Sequence, residues 1–245
     1  MDDKPIIVVD VPPAVQRRVP KFGGRVSPPP IPRRPPGKLK LGPNFYANTW
    51  PAKTIRFRFR TRILTAAATP VNSVHSNVLR LQLQTSFLQS ILQTAQKKDW
   101  EEEFKAEKAA YAKLRPLQGT VVPRLFGELR YDNTTALLMS DIGSVCLAAP
   151  EGGMLGLDRF RYLVRQALTA LSRFGILQDD VKLDNFHLTN SRVMVVDLEM
   201  TSNENQRPLT DEELEFGIDS AVDSLAKSYE ENQYCFWEDN ILSVE

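Results

Sequence analysis

An α+β fold is what this sequence predicts, on three observations. Residues 54–63 alternate apolar side chains with arginines at the period of a strand. Two short apolar runs, 121–129 and 135–142, flank the turn-forming pair Asp132-Asn133 and read as antiparallel strands. Residues 158–174, and a second segment beginning at Thr210, repeat their apolar residues at helical spacing.

Taken in order, the chain opens with a segment in which twelve of its seventeen prolines fall between Pro5 and Pro51. Proline removes backbone donors and fixes φ, and this stretch has little to bury, so residues 1–50 are expected to form a disordered, basic, Pro/Arg-rich tail. Within it, Pro29-Pro30-Ile31-Pro32-Arg33-Arg34 has the composition of a polyproline II ligand for an aromatic groove on a partner, although short patterns of this kind favour a plain flexible linker. In 54–63, Ile55, Phe57, Phe59 and Ile63 share the inner face. Arg56, Arg58, Arg60 and Arg62 line the solvated face of an edge strand. Residues 78–83 read as a strand and 87–96 as a helix.

Asp99, with Glu102 three residues on, forms a capping box for a helix running to Arg115, whose stripe is Phe104, Tyr111 and Leu114. The strand pair follows and ends at Gly143. In 158–174 the inward residues are Phe160, Leu163, Ala167, Leu168 and Leu171, and Gly175 ends the helix. The last helix starts at Thr210 with Glu213 closing a second capping box, and Leu214, Ile218, Val222, Leu225 and Tyr229 on its buried face. No repeat occurs at a period of 20 to 50 residues.

With 42% hydrophobic and 25% charged residues in 245, the chain can bury one sizeable core or two small ones, here divided as 51–143 and 144–245 behind the 1–50 tail. Cys146 and Cys235 stand in unrelated contexts, which speaks against a disulfide framework or a zinc site. No apolar run is long enough for a membrane span, and the acidic start does not resemble a signal peptide, so an intracellular protein, cytoplasmic or nuclear, is expected. Residues 1–62 hold fourteen Lys/Arg against three Asp/Glu, and the remainder seventeen against twenty-seven. The basic head suits nucleic acid, a membrane surface or an acidic partner, whereas the body has no nucleic-acid footprint and no reading motif stands behind a basic-tail nucleic-acid binder, so neither membrane nor nucleic acid is the expected partner.

The chemistry concentrates after Gly175. Ile176-Leu177-Gln178-Asp179-Asp180-Val181-Lys182-Leu183-Asp184-Asn185 is followed, twelve residues after Asn185, by Asp197 at the end of the apolar run Val193-Met194-Val195-Val196. Phosphoryl transfer needs a carboxylate near the acceptor hydroxyl, oxygen ligands for Mg²⁺ and a cation for the moving charge. Asp180, Asn185, Asp197 and Lys182 supply those groups.

This segment resembles the catalytic loop and magnesium-binding triplet of the protein-kinase superfamily, in the divergent form seen in fungal kinase-like proteins. Upstream, Glu107-Lys108-Ala109-Ala110-Tyr111-Ala112-Lys113-Leu114 with Leu117-Gln118-Gly119 and Val122-Pro123 resembles helix C and its exit. Leu137-Leu138-Met139-Ser140-Asp141-Ile142-Gly143 resembles the adenine-holding hinge, so that the likeness covers about 99–200. The resemblance implies a two-lobed kinase-like fold, ATP and Mg²⁺ as cofactors, Asp180 and Lys182 as catalytic residues, and Asn185 and Asp197 as metal ligands. It implies Glu107 as the helix C glutamate, and Met139 and Asp141 at the nucleotide hinge. Glu107 projects from the apolar stripe and so calls for a cationic partner; where kinases have a strand lysine, the nearest strand-like candidate here is Arg80.

The pattern departs from the family at several places. No Gly-x-Gly-x-x-Gly occurs, Gln178-Asp179-Asp180 stands for His-Arg-Asp, and Asp197-Leu198-Glu199 for Asp-Phe-Gly. Forty-eight residues follow Asp197, so a reduced C-terminal lobe is expected. Two functions fit: an ATP- and Mg²⁺-dependent phosphotransferase acting on a hydroxyl, protein serine or threonine favoured by resemblance, or a catalytically inactive scaffold that binds partners.

Overall fold

The computed structural model describes residues 38–45, 51–59, 62–70, 78–83, 89–94, 101–131, 134–142, 145–198, 201–203 and 210–244. Strands β2 (Lys53–Phe59), β3 (Arg62–Pro70), β4 (Val78–Leu83), β5 (Gln89–Thr94), β6 (Leu125–Tyr131) and β7 (Thr134–Ser140) form one antiparallel sheet in the order β2-β3-β4-β5-β7-β6. The two outermost strands, β2 and β6, touch without pairing, so the sheet rolls into an open barrel. Its interior holds Ile55, Phe57, Ala66, Ala68, Leu79, Leu81, Leu129, Ala136 and Leu138. Alanines opposite larger side chains let so narrow a barrel close. As the sequence predicts, β2 is an edge strand with Ile55 and Phe57 buried and Arg56 exposed.

Strand β7 serves two cores. Ala136 and Leu138 point into the barrel, while Leu137 and Met139 join a larger cluster shared with the helices. A strand buried on both faces reads as the unbroken apolar run seen here. Helix α1 (Glu101–Lys113) lays Glu107, Ala110 and Tyr111 against that cluster. Helix α2 (Leu157–Ser172) contributes Phe160, Leu163, Val164, Ala167, Leu168 and Leu171, and α3 (Asp211–Glu238) contributes Ile218, Val222, Leu225, Ala226 and Tyr229.

Helices α2 and α3 clasp each other. Phe160 stacks on Tyr229 with ring centroids 4.1 Å apart. Arg161 pairs with Asp223, and Arg165 with Glu215 and Asp219, along one flank. The buried Tyr229 hydroxyl donates to Gly152 O at 2.7 Å, and Gln233 Nε2 to Gly153 O at 2.6 Å, which fixes a short 3₁₀ turn (Gly152–Met154) onto α3. Among the described residues no helix is long and apolar enough to cross a membrane.

Smaller sheets complete the fold. Strand β8 (Val145–Cys146) pairs with β10 (Phe186–Thr189), which pairs with β11 (Arg192–Val195). Strand β9 (Ile176–Gln178) pairs with β12 (Thr201–Asn203), and β1 (Leu39–Leu41) with β13 (Leu242–Val244).

Four sequence expectations are corrected. Residues 89–94 are strand β5, not part of a helix over 87–96, because β4 and β7 offer it pairing on both sides; positions 87, 88, 95 and 96 lie outside the described residues. The pattern Gln-Ser-Ile-Leu-Gln-Thr suits either period, and the sheet decides. The alternation over 54–63 spans two strands, since Phe59 pairs with Arg62 and Arg58 with Ile63 across a reversal. A two-residue connection shifts the alternation by one, so the inner face of Ile55 and Phe57 continues at Leu64 and Ala66, and position 63 falls in register with Arg58 rather than on the inner face expected of it. The run 121–129 becomes regular strand only at Leu125, with a bulge between Leu125 and Gly127. Finally, the expected disorder of residues 1–50 does not hold at Leu39–Leu41, which are paired and include the buried Leu39; positions 1–37, including Pro29 to Arg34, and 46–50 lie outside the described residues.

Candidate active site

The segment that carries the chemistry is built by local geometry. Gly175 adopts φ +60°, a left-handed conformation that costs a glycine little, and this turns the chain from α2 into β9. Lys113 Nζ at the end of α1 donates to Gly175 O at 3.2 Å. After β9 the backbone tightens, with Lys182 N donating to Asp180 O at 3.0 Å and Asn185 N to Lys182 O at 3.1 Å, and a 3₁₀ turn forms over Leu183–Asn185. Leu183 is buried and pins this turn to the helical core.

Asn185 is 1% exposed, and its Nδ2 donates to Asp180 O at 3.0 Å and to Asp180 Oδ2 at 3.2 Å. Burying an amide is tolerable only with such partners, so Asn185 and Asp180 fix each other. The β10–β11 hairpin then carries the chain away and back. Val196 N donates to Asn185 O at 2.9 Å, Gln178 Nε2 donates to Asp197 O at 2.8 Å, and Val195 N donates to Val121 O at 2.7 Å. Asp197 sits at φ +59°, unusual for a residue with a side chain, and the buried Leu198 follows it. Asp180, Lys182, Asn185 and Asp197 are thereby collected at one edge of the helical core.

The charges are coupled. Lys182 Nζ lies 2.5 Å from Asp180 Oδ2. Its ammonium is held above the usual lysine range chiefly by that hydrogen bond; partial burial opposes the shift, and the charges of Asp180, Asp197 and Asp184 reinforce it. Lys182 is therefore a cation at any physiological pH. Helix α1 meets the same site from above. Glu107 is 2% exposed, and the Tyr111 phenol is pushed well above its ordinary range, first by complete burial, then by the charge of Glu107, then by that of Asp197. Helix C-like Glu107 and the candidate metal ligand Asp197 thus act on one buried side chain.

Arg80 does not serve as expected. Its Nε lies 2.6 Å from Asp141 Oδ2, in an ion pair with a carboxylate whose side chain is 2% exposed. Strand β5, the last described strand before α1, contains no basic residue. Met139 is buried, and its backbone sits between Ile91 of β5 and Leu125 of β6. At the next residue Ser140 N donates to Arg124 O at 2.8 Å. The strand pairing therefore extends through the expected hinge as far as Ser140, and Asp141 is the first residue beyond it.

Sequence reasoning missed the parts played by Gln178 and Tyr111. Gln178 gave only one signal, a polar residue on a three-residue strand that turns out to be buried at both ends. A cavity of about 420 Å³ lies on the far side of the loop, lined by Leu168, Ile176, Asp179, Val181, Phe216 and Ile218 among others; Asp180, Asn185 and Asp197 do not line it.

No family model matches the chain, and no curated protein matches it. Among solved structures it is similar to a mutant of the kinase domain of Mycobacterium tuberculosis PknI, with 12% sequence identity and a TM-score of 0.47 over 74% of this chain and 76% of that one.

Proposed function

We propose that the chain has a protein-kinase-like fold, with 51–143 as its N-terminal lobe and 144–245 as a reduced C-terminal lobe, and that it is an ATP- and Mg²⁺-dependent phosphotransferase acting on a hydroxyl, with protein serine or threonine as the favoured acceptor. The observation that carries this reading is the bonded set of Asp180, Lys182 and Asn185, with Asp197 held beside it through Gln178. The donor set fits a magnesium ion. Asn185 spends its Nδ2 on Asp180, which leaves Oδ1 for a hard cation, and Mg²⁺ needs only one or two protein oxygens when phosphates and waters complete its octahedron. Asn185 and Asp197 would hold the metal, whose positive charge would offset that of the phosphate groups.

In this reading Asp180 accepts the acceptor hydroxyl's hydrogen bond and orients its oxygen. Lys182, tied to Asp180 in the present arrangement, is near enough to turn its charge to a transferred phosphoryl group. Titration of the purified chain with ATP, with and without Mg²⁺, tests it. Magnesium-dependent binding is expected and should weaken about tenfold or more in Asp197→Ala. An ATP affinity unchanged by Mg²⁺ and by that substitution would overturn it.

A second reading, a partner-binding scaffold without catalysis, is favoured by one observation. No glycine occurs between Pro51 and Gln118, so the first four barrel strands and their connections lack the residue that lets backbone amides close around phosphates. That reading predicts no thermal shift with Mg-ATP and partner binding that survives Asp180→Asn and Asp197→Ala.

A further inference from the structure

Helix α3 presents an acidic, aromatic outer surface that the candidate active site does not use. Over Asp211–Glu238 it carries nine Asp/Glu and a single Lys. Glu213 is spent on the capping box, and Glu215, Asp219 and Asp223 pair with arginines of α2. Glu230, Glu231 and Glu238 near its C-terminal end are exposed and make no ion pair among the described residues. Beside them Tyr234 and Trp237 pack with ring centroids 6.0 Å apart, and Trp237 is 38% exposed.

The N-terminal head joins the folded body next to this surface. Strand β1 pairs with β13, which directly follows α3, and Asn44 Nδ2 donates to Asp239 O at 3.0 Å. Strand β1 also touches the Gly152–Met154 turn, whose carbonyls accept from Tyr229 and Gln233. Residue 38 therefore lies at the level of the last two turns of α3. Residues 1–37 hold seven Lys/Arg against three Asp, and Arg33-Arg34 are separated from Leu39 by Pro35, Pro36, Gly37 and Lys38. At ~3.1 Å per residue, the five steps from Arg34 to Leu39 reach ~16 Å, enough to pass around a helix ~10–12 Å across.

We propose that the Pro/Arg-rich head docks on its own chain, with Arg33 and Arg34 over Glu230 and Glu231 and the prolines on either side against Tyr234 and Trp237. Prolines and aromatic faces are complementary surfaces, and a proline-rich segment loses little conformational entropy on binding. Attachment a few residues away gives the head a millimolar effective concentration, so weak contacts suffice. The head is then withheld from an outside aromatic groove until something displaces it from α3.

Cys235, exposed between Tyr234 and Trp237, is a built-in reporter. Cys146 is less accessible, and burial, the largest influence, pushes its thiol from 9.0 up to about 11, so labelling at neutral pH is expected to favour Cys235. With a nitroxide on Cys235 of the full chain, paramagnetic broadening of the Ser27, Ile31, Arg33 and Arg34 amide signals is expected. It should fall severalfold in Arg33→Glu/Arg34→Glu and in Glu230→Lys/Glu231→Lys, and return when all four reversals are combined. Broadening equal in the unaltered chain and both reversals overturns the proposal, because a tethered but undocked head gives that result. Broadening of an isotope-labelled chain by a separate nitroxide-bearing copy, in place of the intramolecular signal, also overturns it and assigns the surface to a second copy's head.

Discussion

Removing the Arg80 guanidinium would leave the Asp141 carboxylate buried beside a half-exposed gap, whereas removing the carboxylate would leave a guanidinium that water can reach, its side chain being 44% exposed. A deeply buried charge that loses a partner costs more than a solvated one. Arg80→Ala is accordingly expected to destabilise the chain by about 1–3 kcal/mol, read as a lowered denaturant midpoint. In a double-mutant cycle with Asp141→Asn most of that loss should reappear as coupling; a coupling near zero would mean that the ion pair adds nothing to stability. The pair also marks what was legible at this scale. Asp180, Lys182 and Asn185 lie within six residues, so their spacing alone brings them together. Arg80 and Asp141 are 61 residues apart and meet through sheet register, which no local pattern encodes.

At the scale of elements, the helices were legible because each carries its own periodicity and its own stop signals. Thr210 Oγ1 accepts from Glu213 N at 3.2 Å, and Glu213 Oε2 accepts from Thr210 N at 2.9 Å, the reciprocal bonds that the sequence spacing predicts. Loss of the cap leaves a first-turn amide unsatisfied, so Thr210→Ala is expected to cost about 1 kcal/mol. The check is a shift in denaturant midpoint at constant slope, with Thr210→Ser recovering most of it. Strand β5 had no comparable local signal. Its two adjacent apolar residues fit a helix or a strand, and only β4 and β7 on either side settle the matter.

At the scale of the whole molecule, composition concealed a closure that depends on a few residues in a proline-rich region. No proline falls between Pro36 and Pro43, and three residues in that gap find a partner strand at the other end of the chain. Leu242 is fully buried, and β1 lies beside it in register with Leu41. Gly42 makes the approach possible. Its N donates to Ile241 O at 2.7 Å, and a Cβ on it would press into Asn240 O, with Asn240 C at 3.1 Å and Ile241 C at 3.2 Å as its next neighbours. These are backbone atoms of a tight turn in which Asn240 already holds φ +56°, so they have little freedom to withdraw. Gly42→Ala is therefore expected to destabilise the chain by about 1–3 kcal/mol through overpacking, while Lys40→Ala, on an exposed side chain two residues earlier, should stay within ~0.5 kcal/mol of the unaltered chain. Hydrogen exchange adds the spatial check, since protection lost at Leu39, Leu41 and Leu242 together, with α2 unchanged, would locate the damage at the β1–β13 seam. A Gly42→Ala chain as stable as the original would mean that the seam contributes nothing to the fold.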